Sequence, residues 1–233
     1  RTLALAGGAT LKYDRLLVAT GSRPIKPPIP GIDSPGVHNC WTLADGRAIA
    51  ALMKPGSKVV LMGAGFIGCI ILEALAASGA DLTVVEMLDR MVPRMMNDTA
   101  GNMIKDWCES QGVRVHTSTR VTEIARGAAH ALRVVLANGT TLDADLVVSA
   151  TGVRPNVELL DGSGIQVQTG ILVDRHMRTS APDVYAAGDV AERCDFSTGD
   201  CSVQAIQPTA VDHGQMAARN MAGRAVEHRG SVN

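Results

Sequence analysis

Aromatic side chains are scarce in this chain, since Phe, Trp and Tyr together make up 3% of its 233 residues. Proteins that bind nucleic acids stack bases on aromatic rings and neutralise phosphates with an excess of Lys and Arg. Here 22 basic residues are offset by 23 acidic ones, so that the net charge is −1. The composition therefore argues against a nucleic-acid partner.

Long apolar runs are also absent from the sequence. The longest, from Val59 to Leu72, contains three glycines and stops at Glu73, whereas a membrane span needs about 20 apolar residues. We find no signal peptide, low-complexity tract or internal repeat. The five cysteines are odd in number and irregularly spaced, which fits a reducing compartment better than a disulfide scaffold. We therefore expect a cytoplasmic protein without a membrane partner.

The sequence does contain four short motifs in a fixed order. An Ala-Thr-Gly triplet follows an apolar run twice, at 19–21 and at 150–152, and a Gly-x-Gly-x-x-Gly loop at 63–68 lies between the two. The segment Val184–Asp189 comes after both triplets. Because the glycine loop directly follows a predicted strand and opens a predicted helix, it has the context of a Rossmann-like nucleotide-binding unit. The order predicts a nucleotide-binding domain inserted into another domain.

The hydrophobic pattern predicts an α/β fold, with a Rossmann-like parallel sheet, helices on both faces and an antiparallel β-meander. The proline-rich segment 24–36 cannot be helical and is expected to cross between two domains. The predicted strands of the parallel sheet are 58–62, 81–86, 113–116 and 145–150, and the predicted helices are 43–53, 65–78, 97–110 and 208–221. The meander is predicted at 120–125, 132–137 and 141–142.

The glycine loop predicts a dinucleotide site. Gly63 permits the tight turn after the strand, Gly65 lets the backbone approach a diphosphate, and Gly68 lets the helix pack closely on the strand. The helix N-terminus, at Phe66 and Ile67, offers free N–H groups and a partial positive charge to that diphosphate. The alternative is a glycine-rich turn that binds nothing.

An acidic residue stands where a ribose is expected. Glu86 ends the next predicted strand, 18 residues after the last glycine of the loop. A carboxylate there accepts hydrogen bonds from ribose hydroxyls and repels a 2′-phosphate, so that we expect NADH to be preferred over NADPH. Arg90 is close enough in sequence to soften that preference.

A longer segment, Tyr13–Pro24, is more specific than the glycine loop. Together with the second Ala-Thr-Gly triplet and the Ala187–Asp189 segment, it resembles the pyridine nucleotide-disulphide oxidoreductases, which are flavoproteins with two dinucleotide-binding domains. Within that family the chain is most similar to the branch of rubredoxin and ferredoxin reductases and the flavin module of NADH-dependent nitrite reductase. The resemblance implies that residues 1–40 and 153–233 are parts of an FAD-binding domain and that residues 41–152 are an inserted NAD(H)-binding domain.

The resemblance also implies flavin contacts. Asp189, after Gly188, matches the carboxylate that binds the ribityl hydroxyls of FAD, and a helix starting near Pro208 would direct the amides of Thr209 and Ala210 at the flavin pyrimidine ring. The two Ala-Thr-Gly turns add further predicted cofactor-binding residues: Thr20, Gly21 and Gly152. The arginines that follow these turns are expected to be structural or to bridge domains: Arg23 and Arg154.

The chain departs from the family pattern at several places. The family has a Glu two residues after the last glycine of the loop, where this chain has Ile70, and Glu73 is expected to be solvated rather than to replace it. We expect Ile70 to pack in the core with its neighbours on the helix: Ile67, Ile71 and Ala74. The family's first flavin glycine loop, its redox-active cysteine pair and its C-terminal interface domain are missing, and the first residue is not Met. We therefore expect an internal fragment of a longer protein that binds FAD weakly by itself.

The remaining cysteines carry no assigned chemistry. Cys194 and Cys201 are close enough in sequence to approach each other across a loop or to hold a metal with His213. Their spacing specifies neither arrangement, and no metal site is predicted.

The function implied by the resemblance is that of an FAD-dependent NAD(P)H:acceptor oxidoreductase. A hydride passes from NADH to FAD, and electrons leave to a protein or small-molecule acceptor. FAD and NAD carry this chemistry, so that no catalytic side chain is assigned. The candidate partners are an electron-acceptor protein and, for the full-length protein, a second copy of itself. The alternative is a nucleotide-binding sensor or scaffold module that binds NADH without turnover.

Overall fold

The computed structural model describes residues 1–195 and 199–230, which divide into two compact units. The inserted unit is Pro24–Gly152, and the flanking unit consists of Arg1–Arg23 and the described residues from Val153 onward. The inserted unit therefore includes the proline-rich segment, whereas the predicted NAD-binding range starts at residue 41. Which cofactor each range binds stays a prediction.

The described ranges contain short strands and four α-helices. The strands are β1 (Thr2–Ala4), β2 (Thr10–Lys12), β3 (Leu16–Val18), β4 (Ser22–Pro24), β5 (Val37–Asn39), β6 (Lys58–Met62), β7 (Asp81–Val85), β8 (Arg114–His116), β9 (Val121–Arg126), β10 (Leu132–Leu136), β11 (Thr141–Ala144), β12 (Leu146–Ser149), β13 (Val153–Pro155), β14 (Ile171–Leu172), β15 (Val184–Ala186), β16 (Ala191–Cys194) and β17 (Cys201–Val203). The α-helices are α1 (Leu43–Leu52), α2 (Phe66–Ala77), α3 (Asp98–Ser110) and α4 (Gln207–Met221).

Five strands form the parallel sheet of the inserted unit, in the order β5-β12-β6-β7-β8. Every residue of β12 is buried, as is every residue of β6 after Lys58. Such continuous burial is typical of parallel strands that are covered on both faces. Parallel neighbours need a crossover, and α2 and α3 supply it between β6 and β7 and between β7 and β8.

Helices cover one face of this sheet. Leu61 and Val84 point to that face and share a core cluster with buried residues of α1, α2 and α3, which are Ile49, Leu75 and Cys108. Their chain neighbours Val60 and Val85 belong to a different cluster. Because successive residues of a strand point to opposite faces, the second cluster lies on the other side of the sheet.

The antiparallel meander covers this second face. Its strands pair in the order β11-β10-β9, and alternate residues of β10, together with Val121 and Ile124 of β9, are buried against the sheet. The predicted α/β class, parallel sheet and meander are confirmed, but the helices expected on both faces lie on one. The chain between β8 and β12 forms hairpins with one apolar face, and that face takes the place of further helices.

β4 and β5 are among the strands that the pattern did not predict. β5 follows the proline-rich segment and pairs with β12 at the edge of the parallel sheet, and β4 pairs with β13. Strands of three residues are too short to show an alternating pattern, so that their pairing could not be inferred from sequence.

The flanking unit is built around the parallel pair of β3 and β15. Residues from both strands share a core cluster with Ala217 of α4. β1 and β2 form an antiparallel hairpin, with positive φ angles at Gly7 and Gly8 in its turn. β16 pairs with β14 on one side and with β17 on the other. Within residues 1–195 and 199–230, no helix is long and apolar enough to cross a membrane.

Candidate functional site

The glycine loop between β6 and α2 is packed so closely that two of its glycines cannot carry a side chain. A Cβ on Gly63, whose φ is +95°, would lie 2.5 Å from the carbonyl oxygen of Ala150. A Cβ on Gly68 would lie 2.1 Å from the carbonyl oxygen of Gly63. These contacts fit the roles predicted for the first and third glycines, which are the tight turn and the close approach of helix to strand.

The middle glycine faces open space. A Cβ on Gly65 would meet no atom within 4 Å, and no side chain caps the N-terminus of α2 there. The first N–H groups of a helix have no partner inside it, so those of Phe66 and Ile67 are directed at this space. Phe66 is 47% exposed and Ile67 is partly buried. The arrangement fits an anionic group that approaches the backbone at Gly65.

Glu86 is buried and bound to the glycine loop. One carboxylate oxygen accepts a hydrogen bond from the Ala64 amide at 2.7 Å, and the other accepts one from the Leu88 amide at 2.9 Å. Glu86 is 7% exposed. A carboxylate has about four lone-pair sites, so two amide donors leave acceptor capacity for a ribose hydroxyl.

Arg90 is occupied by the loop that contains it. Its Nε donates to the Met96 carbonyl oxygen at 2.9 Å, and its Nη1 lies 2.8 Å from Asp89 and 2.9 Å from Asp98. Nη2 contacts the Pro93 carbonyl oxygen at 3.4 Å. The expected softening of the NADH preference needs a free guanidinium, and these contacts oppose it.

The packed face of α2 differs from the expected one. Ile70 is 59% exposed and Ala74 is also exposed, so that the prediction of both as core residues was wrong. The core side of α2 is formed instead by Gly68, Cys69, Ile71, Leu72, Leu75 and Ala76. The helix is apolar almost all round, and its periodicity therefore could not identify the packed side. Glu73 is exposed, as predicted.

The second Ala-Thr-Gly turn is held by the start of the inserted unit. The Gly152 carbonyl oxygen accepts a hydrogen bond from the Ile25 amide at 2.8 Å, and the Thr151 hydroxyl donates to the Ile25 carbonyl oxygen at 3.2 Å. Gly152 has φ +104°, a conformation that favours glycine. A Cβ on Gly63 would clash with the Ala150 carbonyl oxygen of the same turn, so that the turn lies directly against the glycine loop.

The first Ala-Thr-Gly turn is held by Asn156. Thr20 donates its hydroxyl hydrogen to the Asn156 carbonyl oxygen at 2.8 Å and accepts at its own carbonyl from the Asn156 side-chain amide at 2.9 Å. The Asn156 backbone amide donates to Gly21 at 2.9 Å. The Thr20 hydroxyl therefore has a structural partner in this turn.

Arg23 has the structural role that was expected. It pairs with the Glu158 carboxylate and donates a hydrogen bond to the Asn156 side chain at 2.6 Å. The hydrogen bond from Arg23 is the main reason why the pKa of Glu158 is lowered to about 2. Arg154 is exposed.

Asp189 is half-buried at the end of β15, in a short 3₁₀ helix at Gly188–Val190. Its Oδ2 accepts a hydrogen bond from the Ser22 hydroxyl at 2.7 Å. Gly188 has φ +76°, and a Cβ there would lie 3.6 Å from the Cβ of Ala210. The flanking unit thus places the predicted ribityl ligand next to the first turn of α4.

The start of α4 lies close to where it was predicted, at Gln207, with Pro208 as the second residue. No side chain caps this N-terminus. The Ala210 amide donates to the Ile206 carbonyl oxygen at 3.1 Å and is therefore already used by the helix. The amides without an intrahelical partner are those of Gln207 and Thr209. Thr209 was predicted, whereas Gln207 was missed because the helix was expected to start one residue later.

Cys194 and Cys201 face each other across the β16–β17 pair and form a disulfide. The other cysteines, Cys40, Cys69 and Cys108, are free. Within the part of the chain that the structure describes, no group of three or more His, Cys, Asp or Glu side chains could hold a metal ion.

The known proteins that are similar to this chain are oxidoreductases or subunits of oxidoreductases. The chain is 39% identical over 222 residues to the NADH-dependent phenylglyoxylate dehydrogenase subunit epsilon of Aromatoleum evansii, which covers 95% of this chain and 52% of that protein. A ferredoxin reductase structure from Rhodopseudomonas palustris matches with a TM-score of 0.91 and 33% identity, over 99% of this chain and 57% of the other.

A third similar protein is FAD-dependent. It is an FAD-dependent pyridine nucleotide-disulphide oxidoreductase from Desulfovibrio vulgaris, with a TM-score of 0.84 and 34% identity over 97% of this chain and 58% of the other. The chain spans about half the length of the curated relatives it matches. The family model described as pyridine nucleotide-disulphide oxidoreductase matches residues 1–218. The chain belongs to the pyridine nucleotide-disulphide oxidoreductase family.

Proposed function

We propose that this chain holds the NADH-binding site, and part of the FAD-binding site, of an NADH:acceptor oxidoreductase. The observation that carries the proposal is the uncapped N-terminus of α2, with open space at Gly65 and the Glu86 carboxylate at the end of the neighbouring strand β7. A diphosphate fits against the free amides, and a ribose fits beside the carboxylate.

The residues of the inserted unit bind and orient the dinucleotide. Gly63 and Gly68 fix the backbone, Gly65 leaves it accessible, and Glu86 accepts hydrogen bonds from the ribose. Holding the reductant in one orientation is the main contribution that these residues make to the rate.

The residues of the flanking unit fit a flavin. Asp189 offers a half-buried carboxylate to the ribityl hydroxyls, and the Thr209 and Gln207 amides offer a partial positive charge to the ring. When bound, FAD accepts a hydride and passes electrons to an acceptor.

The acceptor is proposed to be a protein or a small molecule, and a ferredoxin-type protein is supported by the ferredoxin reductase among the similar structures. A homodimer of the full-length protein and a cytoplasmic location are further proposals.

The test is a calorimetric titration of the chain with NADH and with NADPH, together with a fluorescence titration with FAD. We expect NADH to bind more tightly than NADPH and FAD to bind weakly to these 233 residues. ADP-ribose should compete with NADH, because the proposed contacts are made by the diphosphate and the ribose. A chain that binds neither dinucleotide would contradict the proposal.

The alternative of a sensor or scaffold module makes a different prediction. A sensor binds NADH but reduces no acceptor, so that NADH oxidation by the full-length protein with FAD and an artificial acceptor distinguishes the two. The relatives named above are enzymes or enzyme subunits, which gives the sensor no support.

A further inference from the structure

The loop between β7 and α3, residues 86–97, grips the glycine loop at two points. Glu86 accepts a hydrogen bond from the Ala64 amide at 2.7 Å, and the Val92 amide donates to the Ala64 carbonyl oxygen at 2.8 Å. Ala64, Met91 and Val92 are buried in the same core cluster. Both polar backbone groups of Ala64, directly before Gly65, are therefore fixed by this one loop.

The loop holds this contact in an unfavourable backbone conformation. Val92 has φ +48°, in the left-handed region that β-branched residues avoid. Such a residue keeps that conformation only when its surroundings impose it. Something in the loop must therefore hold Val92 against Ala64.

The Met95 and Met96 amides both donate to the Val92 carbonyl oxygen at 3.0 Å and form a turn there, and Arg90 braces that turn. Its guanidinium bonds to the carbonyl oxygens of Pro93 and Met96, on the far side of Val92, and to Asp98 in the first turn of α3. The planar fork of Arg can serve several acceptors in fixed directions, which a lysine ammonium cannot do in the same geometry. Arg90 thus closes the loop around Val92 and ties it to the helix.

Helix α3 packs closely against this loop at Gly101. A Cβ on Gly101 of α3 would lie 2.8 Å from the Met91 carbonyl oxygen and 2.9 Å from the Cδ of Arg90. Only a glycine at this position lets α3 lie directly on the loop.

From these contacts we infer that Arg90 is a positioning residue for the dinucleotide. It fixes the 86–97 loop so that Val92 holds Ala64, and Ala64 in turn presents Gly65 and the α2 N-terminus to the diphosphate. This inference rests on the proposed function. It also means that Arg90 does not bind a 2′-phosphate, because its N–H groups already donate to acceptors in the loop.

The test compares Arg90→Gln and Arg90→Lys with Arg133→Gln, a matched control at an exposed arginine of β10 whose side chain makes no hydrogen bond or ion pair with the described residues. Hydrogen exchange of the Val92 amide is measured without cofactor, and the Kd for NADH is measured by calorimetry. We expect both Arg90 variants to speed Val92 exchange and to raise the Kd about tenfold, an effect typical of losing a charged hydrogen bond. The control should change neither quantity.

A second readout is the thiol of Cys69, which donates to the same Ala64 carbonyl oxygen at 3.5 Å. Its rate of alkylation, followed by peptide mass spectrometry, should rise in the Arg90 variants relative to that of Cys108. If Arg90→Gln does not fold, Asp98→Asn removes only one of the ion pairs and should move all three readouts in the same direction by a smaller amount.

These measurements distinguish a failure of the positioning role of Arg90 from a failure of NADH binding itself. Unchanged Val92 exchange in Arg90→Gln would show that Arg90 does not hold the loop, and faster exchange with an unchanged Kd would show that the loop does not position NADH. An Arg90→Lys variant that binds like the wild type would reduce the role to charge alone and overturn the inference. A wild-type chain that binds no NADH would overturn the proposed function, and with it the positioning role, whatever the exchange rates show.

Discussion

The Glu86 carboxylate accepts a hydrogen bond from the Ala64 amide at 2.7 Å, and this bond joins the predicted ribose ligand to the predicted diphosphate loop. The two residues are 22 positions apart in the chain, and the motif predicted only the acid at the strand end and the glycine loop, not the bond between them. Because they are coupled, a change at Glu86 should alter both the discrimination between cofactors and the shape of the loop.

Replacing Glu86 with Ala should therefore have two effects. The ratio of the Kd for NADPH to that for NADH should fall towards one, because repulsion of the 2′-phosphate is removed. The Kd for NADH should itself rise about tenfold or more, because the ribose hydrogen bonds and the loop anchor are lost. Calorimetric titrations with both cofactors measure this, with Glu123→Ala, an exposed acid on β9, as the control. Equal affinities of the wild type for NADH and NADPH would remove Glu86 from its assigned role.

Alanine at Gly65 should weaken NADH binding, whereas alanine at Gly68 should lower the free energy of unfolding. Gly65 has φ −74° and open space in front of it, so that Gly65→Ala should lower the free energy of unfolding by only about 0.5–1 kcal/mol, the cost of placing alanine at a helix N-cap. Its methyl group occupies the space proposed for the diphosphate, and NADH affinity should fall about tenfold or more. Gly68→Ala should instead destabilise the fold by roughly 2–4 kcal/mol, because its Cβ would lie 2.1 Å from the Gly63 carbonyl oxygen.

Urea unfolding and NADH titration of both variants check this prediction. Gly46→Ala, on α1 and without a neighbour for the new Cβ, is the control and should affect neither measurement strongly. A Gly65→Ala variant that binds NADH like the wild type would mean that the diphosphate does not approach the backbone there.

Sequence patterns located the site but not the contacts that hold it. β6 and β7 were predicted to within a residue because their continuous apolar runs end at a glycine loop and at an acid. The bond from Val92 to Ala64 was not predictable, because it depends on a left-handed conformation at a residue type that rarely adopts it. The exposed side of α2 was mistaken for the core, since an almost wholly apolar helix has no preferred side in its sequence.

The pair of Arg23 and Glu158 should be visible in a titration. The pKa of Glu158 is lowered to about 2, chiefly by its hydrogen bond from Arg23. Arg23→Gln should return the Glu158 midpoint, followed by NMR, towards the usual value for a glutamate, near about 4.3. Arg154→Gln should move it less, because Arg154 acts only through space.

The lowered pKa of Glu158 determines how this pair affects stability as the pH changes. A carboxyl whose pKa is lowered by folding stabilises the native state above its unfolded pKa, and this contribution is lost as the pH falls towards about 2. Because the pair is exposed, solvent screening keeps the contribution small. A Glu158 midpoint that Arg23→Gln leaves in place would show that the pair does not form in solution.

His213 on α4 is 1% exposed, and within the described residues neither of its ring nitrogens has a hydrogen-bond partner. Burial is the main reason why its pKa is lowered to about 4, and the nearby charges of His228 and Arg193 add to the effect while Asp212 opposes it. The ring of His228 packs against it edge-on, with centroids 4.8 Å apart. Folding therefore keeps His213 neutral at a pH where the unfolded chain would protonate it.

This imbalance sets the pH dependence of stability. Below the unfolded pKa near about 6.5, the unfolded state binds a proton that the folded state refuses, so that the free energy of unfolding falls as the pH drops towards about 4. At about pH 5 we expect His213 to account for a loss of roughly 1–2 kcal/mol relative to neutral pH, measured by urea unfolding. His213→Phe should remove that part of the loss and leave the part due to His228, whose pKa is also lowered by burial. An identical pH dependence in His213→Phe would mean that His213 is not buried in the folded protein.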